Sequence, residues 1–283
     1  MHERPTFPRL TFLGSGTSVG VPTLGCDCAV CASTDPRDKR TRPSVAVRWL
    51  APGQNLARER TVVIDTGPDF RAQALRENIR HVDAVLYTHE HADHILGMDD
   101  LRPLSWESFA TIGPIPLYAD TQTAETLERI YDYTFAPGAT YSNRARVELK
   151  PIGEAVRVHE AEFVRVPVMH GDLPVSGFRF GDAAYLTDVS FIPESSFALL
   201  KGLETLVLPG LRRKPHPSHA SLDMVLQWAA RIGARQTWLT HISHDLGHEA
   251  TNRELPAGVA LAYDGLEVAV SFATGNLKGD ERA

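Results

Sequence analysis

The sequence predicts an α/β fold built on layered β-sheets, and two observations lead to that prediction. Short apolar runs of strand length alternate along the chain with segments that repeat at helical spacing. Several of the apolar runs are followed, within two residues, by a side chain that can bind metal; these side chains are His89, His170, Asp188 and His241. Because ends of neighbouring strands lie close in space, we expect these distant residues to converge on one site.

The composition is that of an ordinary globular protein. The chain has 283 residues, of which 43% are hydrophobic and 23% charged, and it contains no repeat or linker. We therefore expect residues 1–283 to form a single domain. The formal net charge of −6 provides no basic field for nucleic acid. No apolar run is long enough to span a membrane, and residues 1–9 have no apolar secretory segment, so a cytoplasmic protein is predicted.

Strands are predicted wherever the apolar runs have strand length or alternate in polarity. In chain order these runs are Leu10–Leu13, Ser44–Leu50, Thr61–Ile64, Ala84–Tyr87, Ile115–Tyr118, Phe163–Met169, Gly177–Phe180, Ala183–Leu186, Thr205–Leu208 and Gln236–Thr240. Residues 51–60 contain Pro, Gly and Asn, which indicate a hairpin connection. A second hairpin is predicted within residues 137–161.

Helices are predicted at Ile95–Leu104, Thr121–Phe135 and Ser218–Gly233, where apolar residues recur at helical spacing. Asp69 is predicted to cap a further helix, whose inner face would carry Phe70, Ala74, Leu75 and Ile79. Asp65, at a strand end, is predicted to accept hydrogen bonds from loop amides and not to bind metal.

Two loops of the first half have a distinctive composition. Gly14–Ser18 is rich in glycine but lacks the Gly-Lys-Ser/Thr of a phosphate-binding loop, so we expect it to let the backbone pass close to the site. Asp35–Arg42 is a run of charged residues and is predicted to be a solvated loop.

The strongest functional signal is Tyr87–His94, where three histidines and one aspartate occupy six positions after a buried strand. Residues two apart in an extended or turning segment point the same way, so His89 and His91 can hold one metal ion. Asp93 and His94 begin the next helix and are displaced enough to serve a second ion. Two ions roughly 3.5–4 Å apart would form a two-metal hydrolytic centre. The competing interpretation is a solvated, histidine-rich turn.

The three cysteines of the chain, Cys26, Cys28 and Cys31, lie within six residues. A disulfide framework needs pairs that close loops, so an odd, crowded trio indicates a metal site. Zinc takes four tetrahedral ligands, and the fourth, expected to be a histidine, must come from elsewhere in the chain. Reduced surface thiols are the alternative.

Taken together, these motifs resemble the metallo-β-lactamase superfamily and, within it, the phosphodiesterase of the carbon–phosphorus lyase pathway. The resemblance covers nearly the whole chain and is carried by residues 14–18, 26–31, 65–71, 87–94, 216–219 and 240–245. It implies a four-layer αβ/βα sandwich of two mixed sheets flanked by helices. It further implies a homodimer that cleaves a ribosyl 1,2-cyclic phosphate during phosphonate use.

The resemblance also implies a role for each motif residue. The first metal would be bound by His89, His91 and His170, the second by Asp93, His94 and His241, with Asp188 bridging both. A structural zinc, in a loop at about residues 20–35, would be bound by Cys26, Cys28, Cys31 and His244. His219 would be a catalytic histidine.

The donor chemistry is consistent with these roles. Imidazole and carboxylate ligands suit Mn²⁺, Zn²⁺ or Fe ions. A water between two such ions loses a proton near neutral pH, and the resulting hydroxide would attack phosphorus in line. His219 would then donate to the leaving alkoxide, and Asp93 could orient the hydroxide besides binding metal. His216 lies close enough in sequence to contribute to substrate contact, whereas His2, His81, His159 and His248 are predicted to be surface residues.

Three functions stay open at this point. The favoured one is a dinuclear metal phosphodiesterase acting on small, cyclic phosphodiesters. The second is a tRNA 3′-processing nuclease, which should need a basic or extended arm that the sequence does not show. The third is a non-hydrolytic member of the same fold, in cofactor biosynthesis or metal binding, which would be expected to lack ligands.

Overall fold

The computed structural model describes residues 8–50, 59–109, 112–138 and 141–272, and these residues form two seven-stranded sheets. The strands of the first sheet are β1 (Arg9–Gly14), β2 (Ser44–Leu50), β3 (Glu59–Ile64), β4 (Ala84–Leu86), β5 (Ile115–Ala119), β6 (Val147–Pro151) and β14 (Glu267–Ala269). Those of the second are β7 (Ala155–Val158), β8 (Ala161–His170), β9 (Leu173–Phe180), β10 (Ala183–Tyr185), β11 (Thr205–Pro209), β12 (Gln236–Thr240) and β13 (Val259–Leu261).

Both sheets are mixed. The first has the order β14-β1-β2-β3-β4-β5-β6, with antiparallel pairing from β14 to β3 and parallel pairing from β3 to β6. The second has the order β13-β12-β11-β10-β9-β8-β7, parallel from β13 to β10 and antiparallel from β10 to β7. The carboxyl ends of parallel strands meet at one edge of each sheet, which is where a site is expected in such folds.

Side-chain alternation along the strands separates the layers. In β2, Val45 and Val47 face the core between the two sheets, whereas Ala46 faces the outer core of the first sheet. The helices cover the two outer faces, so the architecture is the predicted four-layer αβ/βα sandwich. They are α1 (Phe70–Arg76), α2 (Ala92–Ile95), α3 (Arg102–Phe109), α4 (Thr121–Ile130), α5 (Asp132–Phe135), α6 (Glu194–Leu199), α7 (Leu222–Ile232) and α8 (His248–Asn252).

The predicted helix Ile95–Leu104 is wrong, because the chain turns at Gly97. Helix α2 ends at Ile95, a 3₁₀ turn follows at Met98–Leu101, and α3 begins at Arg102. The Gly97 N–H donates to the Thr66 carbonyl at 2.8 Å, and a Cβ at Gly97 would collide with the Gly67 carbonyl. Docking against the segment after β3 therefore overrides the helical periodicity.

Two other predicted helices differ from the structure at one point each. Thr121–Phe135 is divided at Tyr131, which has φ −113° and ψ 43° and donates its hydroxyl to the Ile95 carbonyl at 3.2 Å. Ser218–Gly233 begins only at Leu222 and ends, as expected of a glycine terminator, at Gly233 with φ +70°.

The predicted hairpin within residues 137–161 is also wrong. Strand β6 pairs in parallel with β5 in the first sheet, whereas β7 pairs with β8 in the second. The chain therefore crosses from one sheet to the other between Pro151 and Ala155. The other predicted hairpin is confirmed by the antiparallel pairing of Leu50 with Glu59, although residues 51–58 of its connection lie outside the described residues, as does His2.

Asp69 does not cap α1 with its side chain. Its carboxylate instead accepts from the Arg42 N–H at 2.9 Å and from the Arg42 guanidinium at 3.1 Å. Leu75, predicted to be on the inner face of the helix, is 65% exposed.

In the part of the chain that the structure describes, no helix combines the length and the apolar character that crossing a bilayer requires.

The charged run Asp35–Arg42 is not solvated as predicted, because its arginine Arg40 is fully buried. The Arg40 guanidinium pairs with Asp38 at 2.9 Å and donates to the carbonyls of Ser243 and Leu246 at 3.0 and 2.8 Å. His248, which was predicted to lie at the surface, is buried as well, and its backbone N–H donates to the Asp38 carboxylate at 2.8 Å. This cluster joins the loop after the cysteines to the segment after β12.

We expect Arg40→Ala to lower the free energy of unfolding by roughly 3–5 kcal/mol, because it leaves a buried carboxylate and two carbonyls unpaired. Urea denaturation monitored by fluorescence measures the difference. Arg37→Ala is the matched control, since Arg37 is 37% exposed and its pairs with Asp35 and Glu249 should contribute no more than about 1 kcal/mol. Equal losses for the two variants would contradict the anchoring role of Arg40.

Candidate metal centre

The side chains predicted to bind metal converge at the rim where the parallel strands end. They are supplied by the turn after β4 and helix α2, by the last residue of β8, and by the segments after β10 and β12. Three groups have all their ligand atoms within 4.8 Å of one another: His89, His91 and His170; Asp93, His94 and His241; and His89, His94 and Asp188. The convergence expected from the strand ends is therefore observed.

Asp188 lies between the first two groups. Its Oδ2 is 3.2 Å from His94 Nε2, and its Oδ1 is 3.2 Å from His241 Nε2 and 3.9 Å from His170 Nε2. The Asp188 carboxylate therefore lies closest to two imidazoles of the second group and within 4 Å of one imidazole of the first.

The residues present fit divalent ions. His89 Nε2, Asp93 Oδ2, His94 Nε2 and both ring nitrogens of His241 are buried without a hydrogen-bond partner among the described residues. Each such buried atom would cost about 1–3 kcal/mol if it were left without any partner. Imidazole nitrogens and carboxylate oxygens are donors that Zn²⁺, Mn²⁺ and Fe ions accept, so metal coordination would account for these atoms.

Electrostatics keep the carboxylates of the centre ionised. Burial acts to raise the pKa of Asp188, but the charges of His241 and His94 outweigh it and hold the pKa well below its usual range. The pKa of Asp93 is likewise lowered, with His94 opposing the effect of burial. Burial lowers the pKa of His89 well below its usual value, which favours the neutral imidazole that binds metal.

Asp65 fixes the orientation of His94, which is the support role predicted for it. Its Oδ2 accepts from His94 Nδ1 at 2.7 Å, and its Oδ1 accepts from the Thr88 N–H at 2.8 Å. Because Nδ1 donates to Asp65, Nε2 is the His94 atom directed toward Asp93 and Asp188, and a metal ion bound there would take the place of the second ring proton. Asp65, Asp188 and His241 all have positive φ, between 54° and 65°, so the backbone is held in an unusual conformation at three strand ends of the site.

We expect Asp65→Asn to weaken divalent metal binding about 10- to 100-fold, because the amide no longer fixes the His94 tautomer. Titration of metal-stripped protein with Mn²⁺, followed by calorimetry, measures the affinity. Asp264→Asn is the matched control, since Asp264 is also buried but accepts hydrogen bonds from the loop residues Ser15 and Thr41. An unchanged affinity in Asp65→Asn would contradict the orienting role.

A second cluster lies beside the first and contains the cysteines. The sulfur atoms of Cys26, Cys28 and Cys31 lie 3.1, 3.7 and 3.4 Å from His244 Nδ1. The Cys31 N–H donates to Cys28 Sγ and lowers the pKa of Cys28. Three thiols and one imidazole match a closed tetrahedral zinc site, which would tie the N-terminal loop to the segment after β12.

Cys28→Ser is expected to lower the melting temperature by several degrees and to leave the turnover of the remaining folded protein nearly unchanged, since a closed site contributes to folding and not to chemistry. Differential scanning fluorimetry with and without a zinc chelator measures this effect. The control is Asp27→Asn, an exposed side chain between two of the cysteines. Equal melting temperatures for Cys28→Ser and the unmodified protein would refute the structural role.

His219 lies at the edge of the metal centre, on the loop before α7. Its Nε2 is 3.9 Å from Asp188 Oδ1, and its ring centroid is 4.4 Å from that of His170 and 5.0 Å from that of His241. Burial, followed by the charge on His241, lowers the pKa of His219 to about 3. The ring is therefore neutral near pH 7 and has one N–H to donate.

The sequence analysis missed two supporting residues of the centre, Thr88 and Ser218. The Thr88 hydroxyl donates to Asp65 at 2.8 Å and lies 3.0 Å from His89 Nδ1, and the Ser218 carbonyl accepts from His170 Nδ1 at 2.5 Å. Their positions inside the motifs were visible, next to His89 and between His216 and His219.

The Gly14–Ser18 turn contacts the segment after β12 through the Ile242 N–H, which donates to the Ser15 carbonyl at 2.9 Å.

Comparison with known proteins gives matches over most of the chain. Residues 60–242 match the family model described as a β-lactamase superfamily domain. A solved structure described as a new diphosphatase from the PhnP family is 49% identical and covers 94% of this chain and 98% of that chain, with a TM-score of 0.84.

Two curated relatives extend the comparison. An octanoyltransferase from Porphyromonas gingivalis is 36% identical over 266 residues, which are 93% of this chain and 51% of that protein, so the chain spans about half its length. A ribonuclease Z from Mycolicibacterium gilvum is 28% identical over 235 residues, which are 73% of this chain and 79% of that protein.

Proposed function

The chain belongs to the β-lactamase superfamily and, within it, to the PhnP family, and from that membership we propose that it hydrolyses small phosphodiesters, cyclic ones included. Family membership makes it a metal-dependent hydrolase. The observation that carries the finer proposal is the set of six imidazoles and carboxylates gathered around a seventh group, the Asp188 carboxylate. A site of this kind suits a substrate whose charge resides on phosphoryl oxygens.

We assign the ligands as the motifs suggest. One ion would be held by His89, His91 and His170, a second by Asp93, His94 and His241, and Asp188 would be shared by both. The structural zinc would be held by Cys26, Cys28, Cys31 and His244. Bound divalent cations in the centre supply Lewis acidity, which lowers the pKa of water toward neutrality and offsets negative charge on phosphoryl oxygens.

The side chains around the ions have separate tasks. The ionised Asp93, whose Oδ2 is 3.2 Å from His94 Nε2, accepts a hydrogen bond from the attacking water and orients it toward phosphorus. Neutral His219 donates a hydrogen bond from its ring N–H to the leaving oxygen, which matters most for a poor leaving group such as an alkoxide, and the departing alkoxide takes its proton from water.

Two other functions follow from the relatives. The ribonuclease Z relative makes a tRNA 3′-processing activity the second candidate, but the net charge of −6 disfavours a polyanionic polymer. A non-hydrolytic cofactor-biosynthesis or metal-binding role is disfavoured by the full set of ligands. Octanoyl transfer is not proposed, because the chain spans about half of the relative so described.

Three further expectations from the sequence stay predictions: a single domain, a dimer and a cytoplasmic location.

A substrate screen tests the proposal. Mn²⁺-loaded protein would be assayed with bis(p-nitrophenyl) phosphate, 2′,3′-cyclic nucleotides, ribosyl 1,2-cyclic phosphate, a diphosphate diester and a tRNA precursor, with metal content per chain measured in parallel. We expect two ions in the centre, one zinc at the cysteines, and the highest kcat/KM on a small substrate. Turnover of the tRNA precursor alone, or no turnover at all with both ions bound, would overturn the proposal.

A further inference from the structure

The loop between β11 and α7 carries a second histidine, His216, that the proposed function does not use. His216 is half-buried, and its ring packs edge-on against that of His219, with the centroids 4.9 Å apart and the planes at 63°. Since His219 is the proposed hydrogen-bond donor, one face of that donor rests on another imidazole of its own loop. Such packing limits the rotamers that His219 can adopt.

The hydrogen bonds of the loop determine which ring nitrogens carry protons. The Ser218 N–H lies 3.3 Å from His216 Nδ1, and a backbone N–H can only donate, so this Nδ1 accepts. The Ser218 hydroxyl lies at the same distance from His216 Nδ1. The carbonyl group of the same residue, Ser218, accepts a hydrogen bond from His170 Nδ1. This leaves His170 Nε2 free to face Asp188.

Ser218 therefore connects His216 to a proposed ligand of the first ion, while the ring contact connects His216 to the proposed hydrogen-bond donor. The preceding part of the loop is held separately. The Arg212 guanidinium donates to the carbonyls of Lys214 at 3.3 Å and Pro215 at 2.8 Å, so it is not directed at His216. Within residues 216–219, His216 therefore contacts both Ser218 and His219.

We propose that His216 is a positioning residue: through the Ser218 backbone and its ring contact it holds His170 and His219 in their working orientations. This inference rests on the proposed function and deepens it, because it makes one short loop responsible for both a metal ligand and the leaving-group donor. It differs from direct substrate contact, in which His216 would bind the phosphate itself and act independently of His219.

The test compares His216→Ala with His216→Asn, because an asparagine side-chain oxygen can accept from the Ser218 N–H as His216 Nδ1 does. We expect His216→Ala to lower kcat on 2′,3′-cyclic nucleotides about 10-fold, with little change in KM or in turnover of bis(p-nitrophenyl) phosphate, and to weaken Mn²⁺ binding several-fold. His216→Asn should recover most of the Mn²⁺ affinity. His159→Ala is the control, since β8 separates His159 from His170 by roughly 30 Å.

The double variant His216→Ala/His219→Ala separates the two roles. Both variants are assayed at saturating Mn²⁺, so that weaker metal binding through His170 does not lower the rate. If His216 acts on the leaving-group donor through His219, the double variant then turns over cyclic nucleotides no more slowly than His219→Ala. Additive losses, a rise in KM with both substrates at unchanged kcat, or an Mn²⁺ affinity equal to that of the unmodified protein would each overturn the inference. If His219→Ala proves fully active, the proposed hydrogen-bond donor is wrong, and the Mn²⁺ titrations with the alanine and asparagine variants still decide whether His216 orients His170.

Discussion

Asp188→Asn should lower kcat by at least about 10²–10³-fold and leave less than the full complement of metal bound in the centre. Loss of one electrostatic element from a preorganised site has effects of this size, and Asp188 contacts both ligand groups. Its oxygens lie 3.2 Å from His94 Nε2 and His241 Nε2 in the second group, and Oδ1 lies 3.9 Å from His170 Nε2 in the first. An amide removes the negative charge between these imidazoles and presents an N–H₂ group where a lone pair is needed.

Metal analysis and steady-state kinetics on bis(p-nitrophenyl) phosphate measure both effects of Asp188→Asn. Asp182→Asn is the matched control, because Asp182 lies at the opposite end of β10 and accepts from the Ser271 N–H at 2.8 Å. We expect that variant to keep its metal and its kcat. A fully metallated Asp188→Asn protein with kcat within a few-fold of the unmodified protein would contradict the shared-ligand role.

His219→Ala should lower kcat about 10²–10⁴-fold on substrates with alkoxide leaving groups and much less on those that release p-nitrophenolate. The difference arises because p-nitrophenolate departs without a proton, whereas an alkoxide needs a donor. Metal content should stay unchanged, since His219 is not one of the proposed ligands. Assays of cyclic nucleotides and bis(p-nitrophenyl) phosphate under identical conditions give the ratio of the two effects.

The geometry gives this second prediction a clear alternative. The ligand atoms of His170, Asp188 and His219 lie within 4.8 Å of one another, so His219 is also close enough to bind an ion. Loss of metal together with equal losses on both substrates would assign His219 to that role and remove it as the donor. His219→Gln serves as a further control, because its amide N–H₂ can still hydrogen-bond to the leaving oxygen.

Much of the fold and of the candidate site could be predicted because their signals are local. The buried runs Ala84–Tyr87 and Gln236–Thr240 have strand length and end in His89 and His241, so both the strand and its functional end are visible in a few residues. The assignment of residues to the first ion, the second ion or the zinc rested instead on the family resemblance, because spacing alone does not show which distant side chains face each other.

The failures concern features that depend on distant partners. A hairpin was predicted within residues 137–161, and two strands consecutive in sequence do form there, at 147–151 and 155–158, but their pairing with β5 and β8 puts them in different sheets. The sequence neighbours of Arg40 are charged and indicate a solvated residue, whereas the carbonyls of Ser243 and Leu246, to which it donates in the interior, lie some two hundred positions away in the sequence. Ser218 was missed because its backbone, which every residue possesses, carries the interaction.

The pairing of β14 with β1 has a consequence for how the protein is made. Arg9 lies opposite Ala269, so the first sheet gains its outermost strand only after every strand of the second sheet has been synthesised. Closing so long a loop is entropically slow, and pairing of this kind delays folding. On the ribosome, the first sheet would therefore have β1 as an unpaired edge strand until β14 is synthesised, and the charged Arg9 on that strand would discourage other chains from pairing with it.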